Sequence, residues 1–234
     1  MQFNRSLLLA LSFLILGALV PARNAGAQSV QPLIAEYVEH ASGSFDVTNS
    51  SLYPSVVQLD AKSFTISPDG TGVFHPLDPS IHLELSTTSL RLEPKQTAHV
   101  FYKVSATDVP AWLCIYSSFS SLKKSPGINV RIMLPHTIYL YQKQPLQKEA
   151  IEVGNVKYDP ANHRVTCELT NTSARAGRVA SVEVSGPHSF TSEGGFPMLP
   201  HQTRLLSIEW TSSQIPRDLS LEFQHFSLKR PVLE

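Results

Sequence analysis

Short runs in which apolar and polar residues alternate, broken by Pro, Gly, Asn and Ser, carry almost the whole of this chain. They occupy positions 44–48, 55–59, 97–104, 111–116, 164–170, 178–184, 204–210 and 219–226. A period of two sends successive side chains to opposite faces, so each run reads as a strand with one apolar face. Helical spacing is nearly absent. Between the runs lie turn signals such as Ser67-Pro68-Asp69-Gly70 and Asp159-Pro160-Ala161-Asn162. Short strands at this spacing, with this punctuation, predict an all-β chain built of β-sandwiches.

The chain also repeats itself. Phe45-Asp46-Val47-Thr48-Asn49-Ser50-Ser51 matches Cys167-Glu168-Leu169-Thr170-Asn171-Thr172-Ser173. Further on, Pro94-Lys95-Gln96-Thr97 matches Pro200-His201-Gln202-Thr203. Each pair places an apolar strand before an Asn-Ser/Thr turn, whose side chains satisfy backbone groups, and then a Pro-x-Gln-Thr turn before another strand. The same signals in the same order predict two related sandwiches, residues 28–143 and 151–234. The interval between the signals is longer in the first, which predicts extra strands there. Residues 144–150, with Pro145 and no apolar alternation, read as the linker. The two Asn motifs also fit the N-glycosylation acceptor pattern, but a turn asks for Asn at both places on its own account.

Residues 1–27 read as a signal peptide outside the fold. Arg5 supplies a positive start, 7–20 an apolar stretch, and Ala25-Gly26-Ala27 a small-residue cleavage site. The apolar stretch is shorter than the ~20 residues a spanning helix needs. The mature chain is therefore expected to be exported to the periplasm, with secretion as the alternative. The two cysteines, Cys114 and Cys167, fall in different halves and within strand-like runs. They are expected to be buried free thiols that pack as small apolar groups.

Charge and composition exclude several classes. Lys plus Arg equal Asp plus Glu at 19 each, so no basic field attracts nucleic acid. No Gly-x-Ser-x-Gly elbow, phosphate loop or His-Glu-x-x-His motif occurs, which points away from an enzyme. The nine histidines are scattered with no second ligand at metal spacing, so neither a metal nor a cofactor is expected, nor a small-molecule substrate.

One run stands apart. In residues 128–143, Val130, Ile132 and Leu134 alternate with Asn129, Arg131 and Met133, just before the linker. A closing strand with an apolar row is either ordinary core or an edge offered to a partner that lacks a strand.

Several stretches resemble the PapD-like periplasmic pilus chaperones. Phe45 to Ser51 followed by Tyr53-Pro54 resembles the opening of their first domain. Leu92 to Val104 resembles their Leu-x-Pro-Gly-Gln turn and the next strand, and Trp112-Leu113-Cys114-Ile115-Tyr116 their aromatic strand. Val130 to Lys143 resembles the G strand that ends in an Ile-Lys-Leu-Phe-Tyr-Arg-Pro type motif, here Ile138-Tyr139-Leu140-Tyr141-Gln142-Lys143-Gln144. The resemblance implies two immunoglobulin-like domains set in an L. It implies a chaperone that lends its G strand to exported subunits that are incomplete sandwiches, with an outer-membrane usher as a further partner. Val130, Ile132 and Leu134 match the inserted residues. The family anchors the subunit carboxylate with an Arg on the first strand and a Lys in the G strand. Here Tyr139 holds the Lys position, and no Arg occurs between Gln28 and Thr65. Tyr139, Lys143 and Arg131 are the candidate substitutes. The reading that competes is a secreted two-domain immunoglobulin-like binding or adhesion protein in which the row is core.

Overall fold

Alternation in sequence becomes alternation in burial. The computed structural model describes residues 28–122 and 131–233. The signal-peptide region and Val130 lie outside the described residues. The chain begins with β1 (Ser29–Gln31), β2 (Ile34–Val38) and β3 (Ala41–Thr48). It continues through β4 (Ser55–Ile66), β5 (Gly72–Pro76), β6 (Ile81–Leu85), β7 (Ser89–Leu92), β8 (Thr97–Ala106), β9 (Ala111–Ser121) and β10 (Ile132–Tyr141). After a single 3-10 turn, Lys148–Ala150, come β11 (Ile151–Val153), β12 (Lys157–Asp159), β13 (Arg164–Asn171) and β14 (Gly177–Ser185). The last strands are β15 (Phe190–Met198), β16 (Thr203–Glu209), β17 (Asp218–Phe223) and β18 (Ser227–Pro231). In β8, Val100, Tyr102 and Val104 are buried and the residues between them are not. In β13, Val165, Cys167 and Leu169 are buried in the same rhythm.

Two sheets face each other in the first half, in the orders β1-β3-β8-β6 and β2-β10-β9-β4-β5, with β7 against the first part of β4. Their inner faces enclose one core, from Val30 to Leu140, with Phe45, Leu92, Leu113, Ile115 and Ile138 at its centre. Two sheets in the second half, β13 flanked by β11, β12 and β16, and β15-β14-β17-β18, enclose another core around Trp210, Leu169, Ile208 and Leu221. Each fully buried aliphatic or aromatic side chain contributes about 1.5–3 kcal/mol, so these separate clusters account for two sandwiches. The all-β expectation holds. Between the repeated motifs the first half has β4 to β7 and the second has β14 and β15. β5 and β7 line the far and near ends of β4 as β15 alone lines that side of β14, so β6, which joins the opposite sheet beside β8, is the strand without a counterpart. Leu146, at the start of the second half, is buried in the second core.

The repeat is reproduced in its hydrogen bonds, with one bond more at the first asparagine. Asn49 donates from Nδ2 to the carbonyls of Tyr53 (2.9 Å), Leu92 (3.2 Å) and Glu93 (3.1 Å). Asn171 donates from Nδ2 to the carbonyls of Arg175 (2.6 Å) and Leu199 (2.9 Å). Ser51 and Ser173 each donate back to the Asn Oδ1. Gln96 and Gln202 accept from the amides of Glu93 (2.8 Å) and Leu199 (2.9 Å). Lys95 and His201 both take the left-handed conformation, at φ 65° and 54°. Both asparagines are 0% exposed. They are internal ties between strands, and neither side chain is open to a glycan in the folded chain. The cysteines are free and buried, as expected, Cys114 in a cluster between the halves and Cys167 in the second core.

The halves touch through the outer face of the β2-β10-β9-β4-β5 sheet. Phe64, Cys114 and Tyr139 are buried there with Leu199 from the second half. The Ser67-Pro68-Asp69-Gly70 turn lies at the tip of the β4–β5 hairpin and accepts a hydrogen bond from the Leu205 amide at the Pro68 carbonyl (2.7 Å). Gln202 reaches across from the repeated turn to the Ile66 carbonyl (3.2 Å). This second layer explains β9. Leu113 and Ile115 face the first core while Cys114 faces the other half, so consecutive residues are buried and the run reads apolar throughout.

Candidate functional site

Strand β10 has two different halves. On one side it pairs antiparallel with β9 along Ile132 to Leu140. On the other it pairs parallel with β2, but only from Thr137 to Tyr141. The Thr137 amide donates to the Leu33 carbonyl at 2.8 Å, so the odd-numbered backbone groups face that side. By the strand period, the Met133 amide and carbonyl and the Pro135 carbonyl face the same way. Among the described residues no strand pairs with 132–136 there. The cause is local: the chain leaves β1, which pairs with β3 in the opposite sheet, and crosses at Pro32 to begin β2. Pro135 has no amide hydrogen, as suits an open edge.

The apolar row sits on the inner face of this open half. Ile132 and Leu134 are half-buried and pack against the first core, opposite Phe119 and Ser117 of β9. Met133 points outward and is 47% exposed. Arg131 is exposed and reaches Gln58 Oε1 at 3.4 Å.

The three anchor candidates are not brought together. Arg131 stands at the far end of the strand, eight positions from Tyr139, roughly 26 Å at strand rise. The Tyr139 side chain is 5% exposed and lies edge-on to Phe64 (6.3 Å) and stacked on Tyr141 (6.0 Å). Burial pushes its hydroxyl pKa up to about 12. Lys143 is exposed and pairs with Glu39 at 3.2 Å. The pair sits at the surface, the lysine 76% and the glutamate 39% exposed, so Lys143→Ala is expected to change stability by less than about 0.5 kcal/mol, measured as an unchanged melting temperature.

The residue beside Tyr139 on β2 is Glu36, an acid. Its Oε1 accepts from the Tyr141 hydroxyl (2.8 Å) and from Arg178 of the second half (3.4 Å). Burial foremost, with Glu36 next, raises the Tyr141 pKa, so Tyr141 remains a donor. Gln142 exchanges two hydrogen bonds with the backbone of Ala176 (2.9 and 3.2 Å). Around these contacts lies a cleft of about 400 Å³ between the halves, lined by Val38, Tyr141, Lys143, Leu146, Arg178 and Phe226. Sequence reading missed Glu36 and Arg178. A signal for the first exists: Ile34, Glu36 and Val38 share one strand face, and a lone charge in an apolar row asks for a partner. Nothing in the sequence names Arg178 as that partner.

Among the described residues no group of His, Cys, Asp and Glu is arranged to hold a metal, and no helix is long and apolar enough to cross a membrane. What the site offers is backbone pairing beside an apolar row, together with an ion-paired cleft.

No family model matches the sequence, and no curated protein matches it. Solved structures do match in fold. A chain of the Salmonella enterica SafA pilin–SafB chaperone complex is 13% identical, with a TM-score of 0.53, covering 90% of this chain and 98% of that one. The CsuC–CsuE chaperone–tip subunit pre-assembly complex of Acinetobacter baumannii Csu pili matches at 11% identity and TM-score 0.51, covering 89% of this chain and 100% of that one. The E. coli chaperone DraB matches at 9% identity and TM-score 0.51, over 88% of this chain and 98% of its own. With its two immunoglobulin-like sandwiches spanning nearly the whole length of these proteins, the chain has the fold of the PapD-like pilus chaperones.

Proposed function

We propose that this chain is a periplasmic, non-enzymatic chaperone that binds exported pilus-like subunits lacking a strand, and that the open half of β10 is the strand it lends them. The observation that carries this reading is the edge at residues 132–136, unpaired on one side among the described residues and backed by Ile132 and Leu134. An incomplete sandwich that adds its own edge here gains main-chain hydrogen bonds, with little demand on side-chain sequence. The apolar row then closes the client's groove, and Val130 extends that row by sequence spacing. Solved structures of the same fold hold a pilin or a tip subunit. In this reading residues 28–143 form the client-holding domain, residues 144–150 join it to the second domain at 151–234, and an outer-membrane usher receives the complex.

Strand pairing, rather than a carboxylate anchor, carries the affinity. An acid, Glu36, stands beside Tyr139, and Lys143 can take a client carboxylate only by giving up Glu39. One exposed ion pair replaces another, a gain within about 1 kcal/mol. Lys143→Ala is accordingly expected to weaken client binding less than about fivefold, measured by titration at low and at raised salt.

A second reading has an observation in its favour. Ile132 and Leu134 already pack against the chain's own core, as they would in a binding or adhesion protein with no client. Two variants separate the readings. Ile132→Asp places a charge where a client would bury it, and an unpaired buried charge costs several kcal/mol. Met133→Pro removes an amide from an edge that no strand pairs among the described residues, and leaves the inner face alone. Both are expected to stay folded and to lose co-purification with a strand-deficient pilus subunit by at least about 100-fold. Retained binding in Met133→Pro, or a chain that unfolds on Ile132→Asp, favours the core reading.

A further inference from the structure

His136 ends the open half of β10, and its surroundings suit one protonation state. It is fully buried, and its Nδ1 bonds the Pro32 carbonyl at 2.7 Å. A carbonyl only accepts, so the proton is on Nδ1 and Nε2 is bare. That Nε2 is buried with no hydrogen-bond partner. The ring stacks on Phe45 of β3 (4.6 Å, 19°) and leans on Tyr102 of β8 (5.3 Å). From β9 it faces Ile115, its cross-strand partner. The titratable groups near it are Tyr102 and, beyond it, Tyr37 of β2, whose hydroxyls share a hydrogen bond of 2.8 Å. Burial raises the Tyr102 pKa, so its hydroxyl stays neutral. Among the described residues no ion pair reaches His136.

Two further facts tie the ring to the edge. Pro32 is the crossing between β1 and β2, so the Nδ1 bond fastens the segment whose departure leaves β10 open. Ser117, opposite Leu134 on the same inner face, holds a second buried polar group without a partner, its hydroxyl. Two unsatisfied polar groups, one missing neighbour strand and a proline leave this half of β10 less firmly held than the half that is paired on both sides.

We propose that His136 is an acid-triggered release for the open half of β10. A second proton would put a full charge on a ring that has one carbonyl and two neutral aromatic faces for company. The charged ring is held better by water than by this core. Leaving, it gives up the Pro32 carbonyl and unseats residues 132–136. On the reading that this half holds a client strand, acid loosens the client. Burial lowers the imidazole pKa, in the same sense. The sign follows from linkage. With the folded pKa below the unfolded one, the contribution to stability is whole above about pH 6.5 and is lost as pH falls from there through the folded pKa.

The test compares urea unfolding of the wild-type chain and His136→Phe between pH 7.5 and 5. The other histidines are common to both. The wild-type unfolding constant is expected to rise, relative to the variant, by up to about tenfold per pH unit below 6.5. Equal slopes overturn the proposal. Should His136→Phe fail to fold, wild-type hydrogen exchange decides. Amides of Ile132, Leu134, His136 and Thr137 are expected to lose protection in step with the His136 ring titration, and unchanged protection overturns the proposal. A pilus subunit bound at pH 7.5 is expected to leave the wild type at pH 5 and stay on His136→Phe. A wild-type complex that survives pH 5 overturns the release and leaves the chaperone reading standing. No binding at pH 7.5 removes the chaperone reading, and the unfolding slopes still judge the release.

Discussion

Asn49→Ala and Asn171→Ala are each expected to destabilise the chain by about 3–5 kcal/mol. Each amide group ties together segments far apart in sequence: Asn49 joins the end of β3 to the turn after β7, across 43 and 44 positions. Alanine leaves the carbonyls of Leu92 and Glu93, or of Leu199, without that donor, at about 1–3 kcal/mol for each buried group left unpaired. It also frees Ser51 or Ser173, which the Asn Oδ1 holds in the turn. In a sandwich of this size the loss corresponds to more than about 10 °C in melting temperature, read by calorimetry. Asn→Asp is a sharper form of the test. It keeps the acceptor but turns an oxygen toward the carbonyls, so it is expected to be at least as damaging as alanine. A loss under about 1 kcal/mol at both sites would mean that the backbone bonds of the turns suffice without the amides.

Trp210→Ala is expected to cost about 3–5 kcal/mol, the range for removing a large buried aromatic. The indole is 0% exposed in the second core. Its Nε1–H donates to the Gln214 carbonyl at 2.6 Å. Its far edge lies so close to Gly186 that a β-carbon there would stand 3.0 Å away. Trp210→Phe keeps most of the apolar volume and loses the donor, so a smaller cost of about 1–2 kcal/mol is expected. Because the two cores are separate clusters, the alanine variant is expected to lower the transition of the second sandwich and move that of the first much less. A single transition that drops as a whole would instead mean that the Phe64–Cys114–Tyr139–Leu199 contact makes the halves one cooperative unit.

Much of this was legible in the sequence because it rests on local rules. Alternation sets which face of a strand is apolar, and it did so in β3, β8 and β13. An Asn before Ser or Thr, and a Pro-x-Gln-Thr, mark turns whose side chains bond backbone within a few residues, so the repeat could be read directly. Outer-face burial was not legible. Tyr139 was open to reading as a carboxylate ligand because spacing alone cannot say that Phe64 and Leu199 cover it. Cys114 and Trp112 belong to the same unseen layer. Glu36 and Arg178 are 142 positions apart, and no period or motif links them.

By itself, then, the amino-acid order determined the strands, their inner faces, the two homologous turns and the division into two cores, because these follow from side-chain alternation and from hydrogen bonds made close by in the chain. Only the tertiary structure decided which strand edge is left open, which aromatic residues are buried between the halves and which histidine is shut in the core. Those depend on where β1 abandons one sheet for the other and on how the two sandwiches meet, and both are outcomes of packing between segments that the sequence keeps far apart.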